Sequence, residues 1–268
     1  MGNATAANAE QAALLRIETT GAVLTLGLNR PAKRNALNDG IILEIGECFA
    51  RLPDDIGAVV IHGIGDHFSS GLDLSELSDH DATDGLRHSQ MWHRVFDRIQ
   101  YSRVPVIAAL KGAVIGGGLE LACAAHIRVA EPSAYFALPE GQRGIFVGGG
   151  GSVRLPRLIG VARMTDMMLT GRVYSALQGS AYGFAQYLVE EGGALNKALE
   201  LAQRIASNAP LTNFAVLQAL PMIAESNPQT GLLRESLMAT VAQSDKEAKR
   251  RIRAFLEHKT AKVKPDSK

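Results

Sequence analysis

The sequence predicts an α/β fold with helices packed on sheet, and three observations carry that reading. Short β-rich apolar runs alternate with segments whose apolar residues recur at helical spacing. Two glycine clusters, Gly116 to Gly118 and Gly148 to Gly151, each open a helical run, the first directly after a strand-like run. From Ala194 onward the pattern is helical alone, in segments separated by Asn-Ala-Pro, Asn-Pro and similar breakers.

Leu14 to Thr19 and Val23 to Leu28 alternate in polarity around Thr20, Gly21 and Ala22, which predicts a hairpin. NRPAKRNALND then forms a loop, and Asn38 or Asp39 caps a helix over Gly40 to Ala50 that Pro53 closes. Ala58 to His62 is a buried-type strand. The Gly-, Ser- and Asp-rich HGIGDHFSSGLDLSEL after it is a loop at a strand end. Leu86, Met91, Trp92, Val95, Phe96 and Ile99 mark an amphipathic helix between Gly85 and Tyr101, stopped by Pro105. Val106 to Leu110 and Ala113 to Ile115 are strands, Leu119 to Ala125 is a helix, and Ile127 to Ala130 and Tyr135 to Leu138 are further strands. Helices follow at Val153 to Leu158 and Met164 to Leu169. Four more are predicted at Ala194 to Ser207, Asn213 to Ala224, Gly231 to Gln243 and Lys246 to His258.

A chain of 268 residues with 46% hydrophobic content has enough apolar material for a large core. With 28 Lys and Arg against 27 Asp and Glu, nothing points to nucleic acid as the main partner. Cys48 and Cys123 lie in apolar segments, which predicts buried thiols in a reducing, cytoplasmic setting. Residues 1–13 lack the basic and apolar regions of a secretory signal and read as a loose extension. No apolar run reaches the roughly 18 residues of a membrane span, so the protein is expected to be soluble.

The chemistry gathers in KGAVIGGGLEL, Lys111 to Leu121. Its glycines let a ligand approach main chain at a helix start, where unpaired N–H groups favour negative charge. Glu120 follows in the first helical turn, where the helix dipole stabilises a carboxylate. Glu140 stands twenty positions on, in ALPEGQRGIFVGGGG. An ordinary glutamate pairs with a cation such as Arg143 or Arg154, but a carboxylate in an apolar run beside main-chain donors reads as an acid or base. FSSGLDLSEL, Phe68 to Leu77, supplies a second small-residue turn whose N–H groups face the first, or simply a loop in which Ser70 or Asp73 caps a helix. Ser69, Ser70, His62 and His67 stand in no G-x-S-x-G elbow, and metal-ligand spacing is absent. His126 reads as a helix-end histidine favoured by the C-terminal dipole.

Together NRPAKRNALN, HFSSGLDL, KGAVIGGGLEL, ALPEGQRGI, GGGGSVRLPRLIG and LTGRVYSA resemble the crotonase, or enoyl-CoA hydratase/isomerase, superfamily. The resemblance implies a crotonase-like spiral of ββα units over residues 14–196, then a helical region over 197–268 that assembles a homotrimer or a dimer of trimers. It implies an oxyanion hole from the N–H groups of Leu72 and Gly117 for an acyl-CoA thioester. Glu120 is then the base, Glu140 the acid, and Gly148 holds the attacking water. The reaction is reversible hydration of a trans-2-enoyl-CoA. An isomerase, dehydratase or lyase acting through the same hole is the alternative, and an RNA-binding role is less favoured. Coenzyme A enters as part of the substrate, with no metal or separate cofactor. Its contacts are expected at Lys33, Arg34, Ala36, Leu37, Ser70, Gly71, Asp73 and Leu74, with Phe255 and Lys259 on the last helix. Two departures stand out: Val147 where proline is common, and His126 where aspartate is common.

Overall fold

A computed structural model describes residues 13–77 and 81–258. Lys259 and nearly all of the N-terminal extension lie outside them. Strands β1 (Leu15–Thr20) and β2 (Val23–Leu28) form the predicted antiparallel hairpin. Strands β3 (Ala58–Gly63), β4 (Val106–Leu110), β6 (Ile127–Ala130) and β9 (Tyr187–Leu188) then add in parallel, giving the order β1-β2-β3-β4-β6-β9. A second sheet joins β5 (Ala113–Ile115), β7 (Tyr135–Ala137) and β8 (Tyr174–Ser175).

Both faces of the main sheet are covered, which is why β3 and β4 read as continuous apolar runs. On one face Leu24, Leu26, Val59, Ile61 and Ala108 pack with Ile41, Ile42 and Ile45 of α1 (Asp39–Ala50). On the other, Val23, Ala58, Val60 and Ile107 meet Ala198, Leu201 and Ala202 of α7 (Ala194–Ala206). Helix α7 crosses the expected boundary between residues 196 and 197 while packed on the sheet.

Asn38 caps α1 by accepting from the Ile41 N–H at 3.1 Å. Helix α2 runs over Ala82–Gln100, starting ahead of the expected Gly85 because Asp81 accepts from the N–H groups of Thr83 and Asp84. Helix α3 (Gly117–Ala124) begins inside the glycine run, not after it. The glycine-led α4 (Gly151–Ile159) and α5 (Val161–Thr170) follow. Sequence reading missed α6 (Ala176–Tyr182), although Ser175 and Gln178 form a complete capping box, and it missed the two-residue strands β8 and β9. The helix expected over Asn213 to Ala224 is divided into α8 (Pro210–Phe214), a π-turn over Ala215–Ala219 and α9 (Leu220–Ala224). Pro221 has no N–H to continue an α-ladder there, and a widened turn accommodates it. Helices α10 (Pro228–Ser244) and α11 (Lys246–Leu256) complete the described chain. Among the described residues no helix is long and apolar enough to cross a membrane.

Candidate active site

The loop Phe68 to Asp73 is stitched down on two sides. Ser69 N–H donates to the Ala113 carbonyl at 2.9 Å, and Ile115 N–H returns to Ser69 at 3.1 Å. On the other side Leu37 N–H donates to the Gly71 carbonyl and Asp73 N–H to the Leu37 carbonyl, each at 2.8 Å. This pairing engages residues 71 and 73 and leaves the N–H of Leu72 off the bridge. Gly117 is the first residue of α3, so its N–H has no intrahelical acceptor. A Cβ built on Gly117 would lie 3.3 Å from Leu72 N and 2.8 Å from Trp92 Cζ3, so both nitrogens border one small space backed by Trp92. Gly71, at φ 89°, permits that approach: a Cβ there would fall 2.6 Å from the Ile115 carbonyl oxygen and 3.1 Å from Gly117 N. Two main-chain donors aimed at one point can hold a developing oxyanion.

Glu120 follows about one turn along α3 on the same face and is 4% exposed. Its Oε1 accepts the N–H groups of Gly149 at 2.9 Å and Gly151 at 2.7 Å. Burial pushes its carboxyl pKa up, and the N–H groups of Gly151 and Gly149, then the charge of Arg154, oppose that rise. Arg154 makes no ion pair with Glu120. It binds Asp97 and Gln100, each at 2.6 Å, and the Gly149 carbonyl at 2.9 Å, so it braces the loop that holds the carboxylate.

Glu140 stands just before the short 3-10 turn Gly141–Arg143. Its Oε2 is buried without a hydrogen-bond partner, and Oε1 lies where a Cβ on Gly116 would come within 2.5 Å. Burial is the main cause that lifts its pKa to about 7; its own backbone N–H opposes, and the charge of Glu120 adds to the rise. Glu140 therefore keeps its proton well above the pH at which an ordinary glutamate loses it.

These groups line one cavity of about 340 Å³, walled by the 70–74 loop, α2, the start of α3 and the segment from Glu140 to Gly149. Leu72, Gly117, Glu120, Glu140, Gly148, Ser70, Gly71 and Leu74 all face it. Trp92 lines it, while Phe96 and Val95 lie in the core. Sequence reading missed Ser89, whose Oγ donates to the Gly148 carbonyl at 2.7 Å, and the cradle that Gly149 and Gly151 build around Glu120. The glycine cluster was visible, but no local pattern reports that it folds back onto a carboxylate from another helix. Ser69 is fully buried and donates to the Asn35 carbonyl at 2.8 Å, which removes it as a nucleophile.

The loop from Arg30 to Leu37 is bonded directly to the cavity wall. Arg30 and Lys33 reach Asp73 Oδ2 at 3.0 and 3.1 Å, and Ser70 N–H donates to the Arg34 carbonyl at 2.9 Å. A hydrogen bond from Ser75, desolvation notwithstanding, and those from Lys33 and Arg30 hold the Asp73 carboxyl well below the usual range. Ala36 offers its carbonyl to Arg30 at 2.8 Å, and the Leu37 side chain is buried in the core. Phe255 is exposed on α11 and does not line the cavity of its own chain. His126 is not a charged helix-end histidine. Its Nδ1 accepts from Val106 N–H and its Nε2 meets the Gln100 carbonyl, both at 3.0 Å, while burial lowers its pKa, so the neutral ring serves as a main-chain bridge. Among the described residues no group of three or more His, Cys, Asp or Glu is placed to hold a metal ion.

A family model described as enoyl-CoA hydratase/isomerase matches residues 18–265. The chain belongs to that family. A 2,3-dehydroadipyl-CoA hydratase of Escherichia coli K12 is 35% identical over 246 residues, covering 90% of this chain and 95% of that protein. A short-chain-enoyl-CoA hydratase of Clostridium acetobutylicum is 32% identical over 244 residues, covering 90% and 94%. Among solved structures, a Rhodopseudomonas palustris CGA009 protein shares 78% identity and superposes with a TM-score of 0.90 over 93% of this chain and 97% of that one. The enoyl-CoA hydratase of Bacillus anthracis, 29% identical, has a TM-score of 0.87 over 95% of this chain and 100% of that one. The crotonase fold and an enzyme of this family follow.

Proposed function

We propose that the chain adds water reversibly to a trans-2-enoyl-CoA, giving a 3-hydroxyacyl-CoA. The observation that carries this is the meeting, in one cavity, of two main-chain donors and two buried carboxyls in unlike surroundings. The N–H groups of Leu72 and Gly117 take the thioester oxygen, which makes C3 electrophilic and stabilises the enolate. Glu120, whose Oε1 is oriented by the Gly149 and Gly151 N–H groups that favour its carboxylate form against burial, accepts a proton from water as it attacks C3. Glu140, protonated near neutrality, delivers a proton to C2. Proton exchange through solvent from Glu120 to Glu140 restores the starting state. Gly148 flanks the water side, with its carbonyl held by Ser89.

The substrate's nucleotide lies along Lys33 and Arg34, next to Ser70 and Asp73, and Phe255 with Lys259 serves the nucleotide of a neighbouring subunit in a trimer or a dimer of trimers. Assembly is supported by the exposed Leu232, Leu233 and Leu237 on α10. The free thiols Cys48 and Cys123 suit the cytoplasm.

Glu120→Gln and Glu140→Gln are each expected to lower turnover by about 100-fold or more while CoA-thioester binding persists. Incorporation of labelled solvent oxygen at C3 separates hydration from double-bond migration. Full hydratase activity in either variant sinks the mechanism.

A further inference from the structure

We infer that Arg143 selects an enoyl-CoA whose acyl chain ends in a carboxylate. The inference rests on the hydratase reading above and names its substrate class. Arg143 lines the cavity and closes the 3-10 turn that begins directly after Glu140, so its cation belongs to the same wall as the acid. Its charge acts on Glu140, lowering the pKa against the effect of burial.

Among the described residues the Arg143 guanidinium has no hydrogen bond or ion pair. The other arginines near the site are engaged: Arg30 with Asp73 and the Ala36 carbonyl, Arg154 with Asp97, Gln100 and the Gly149 carbonyl. The wall beyond Arg143 is apolar, formed by Ile145, Phe146 and Val147. Among the described residues neither of the cavity's carboxyls forms an ion pair with Arg143: Glu120 is bound by two glycine N–H groups, and the pKa of Glu140 is lifted to about 7. Arg143 is solvent-exposed where it lines the cavity and forms no ion pair among the described residues, so its guanidinium is available to a ligand anion.

The position of the wall says which part of the substrate that anion is. The 30–37 loop, which carries Lys33 and Arg34, is hydrogen-bonded to the 69–74 side of the cavity. With the thioester oxygen between Leu72 and Gly117 and with C2 and C3 at the two glutamates, the segment after Glu140 meets the acyl chain beyond C3. A terminal carboxylate there meets a planar fork that binds it with two parallel hydrogen bonds, whereas a methyl terminus leaves the guanidinium unpaired.

The test compares trans-2-hexenoyl-CoA with the analogue whose C6 is a carboxylate, measuring kcat/KM for the wild type, Arg143→Gln and Arg143→Lys. The ratio between the two substrates cancels any change in Glu140 common to both. The wild type is expected to favour the carboxylated substrate by about 10-fold or more, and Arg143→Gln to lose about 10- to 100-fold on it but less than about threefold on hexenoyl-CoA. Arg143→Lys falls between them, and added salt narrows the wild-type preference. A wild type without preference, or an equal loss on both substrates, overturns the inference while leaving the hydratase reading intact. Hydration of neither substrate overturns that reading and the inference with it.

Discussion

Replacing Glu140 by glutamine is expected to disable the chemistry and to change stability relative to the wild type by an amount that grows more favourable as pH rises. The Glu140 carboxyl is lifted from an ordinary 4.5 to about 7, chiefly by burial. Between those values the folded chain holds a proton that the unfolded chain has released. Stability therefore falls as pH rises through this window, and the whole penalty is present above the folded pKa. At about 1.36 kcal/mol per pH unit the interval corresponds to about 3 kcal/mol at pH 8 and about 1 kcal/mol at pH 5. Glutamine keeps the volume and removes the titration. Its amide inherits the unpartnered site of Oε2, at a cost of about 1–3 kcal/mol that does not vary with pH. The informative quantity is thus the difference between pH values: about 2 kcal/mol more relative stability for Glu140→Gln at pH 8 than at pH 5, or roughly 4–8 °C in Tm. Thermal unfolding of both proteins at both pH values measures it. A Tm gap between variant and wild type that is the same at pH 5 and pH 8 refutes the reasoning, because Glu140 then titrates alike folded and unfolded.

Gly117→Ala places a methyl 3.3 Å from Leu72 N and 2.8 Å from Trp92 Cζ3, in the space between the two donors; kcat should fall by about 100- to 1,000-fold in a steady-state assay while the chain stays folded. Ser89→Ala removes the 2.7 Å bond to the Gly148 carbonyl, with a loss of about 1 kcal/mol of stability by denaturant titration and a larger proportional loss in kcat than in thioester binding. Arg128, 2% exposed, donates to the Phe184 and Ala125 carbonyls at 2.9 and 2.6 Å; Arg128→Met leaves both unpaired and should cost about 2–4 kcal/mol in the same titration.

The strand and helix order was legible because periodicity reports burial directly: β3 and β4 are buried on both faces and read as unbroken apolar runs, and α2 shows its apolar stripe. The π-turn at Ala215 to Ala219 was not legible, since it answers to Pro221 in three dimensions and keeps helical spacing in the sequence. At the site, the glycine turns and both glutamates stood out locally, and the cavity brings them together. The part that stayed hidden is tertiary. Ser89 sits one turn from Trp92 as an unremarked polar residue of α2, and only the folded chain brings it to Gly148, 59 positions away. His126 was assigned the wrong electrostatics for the same reason: its partners at Val106 and Gln100 come from other elements.

The lone bridges that pin Ser69 to β5 and Leu72 to Leu37 have an evolutionary reading. The donors proposed to activate the thioester are main chain, and the loop that carries one of them, Leu72, is fixed by pairing to main chain. The Leu72 side chain is thus released from the chemistry and only partly buried, packed against the core from beside the cavity. Selection can change what the pocket admits at such positions without rebuilding the electrophile, whereas Gly71 and Gly117 have almost no such latitude. A catalytic apparatus held this way lets substrate range drift while the reaction stays put.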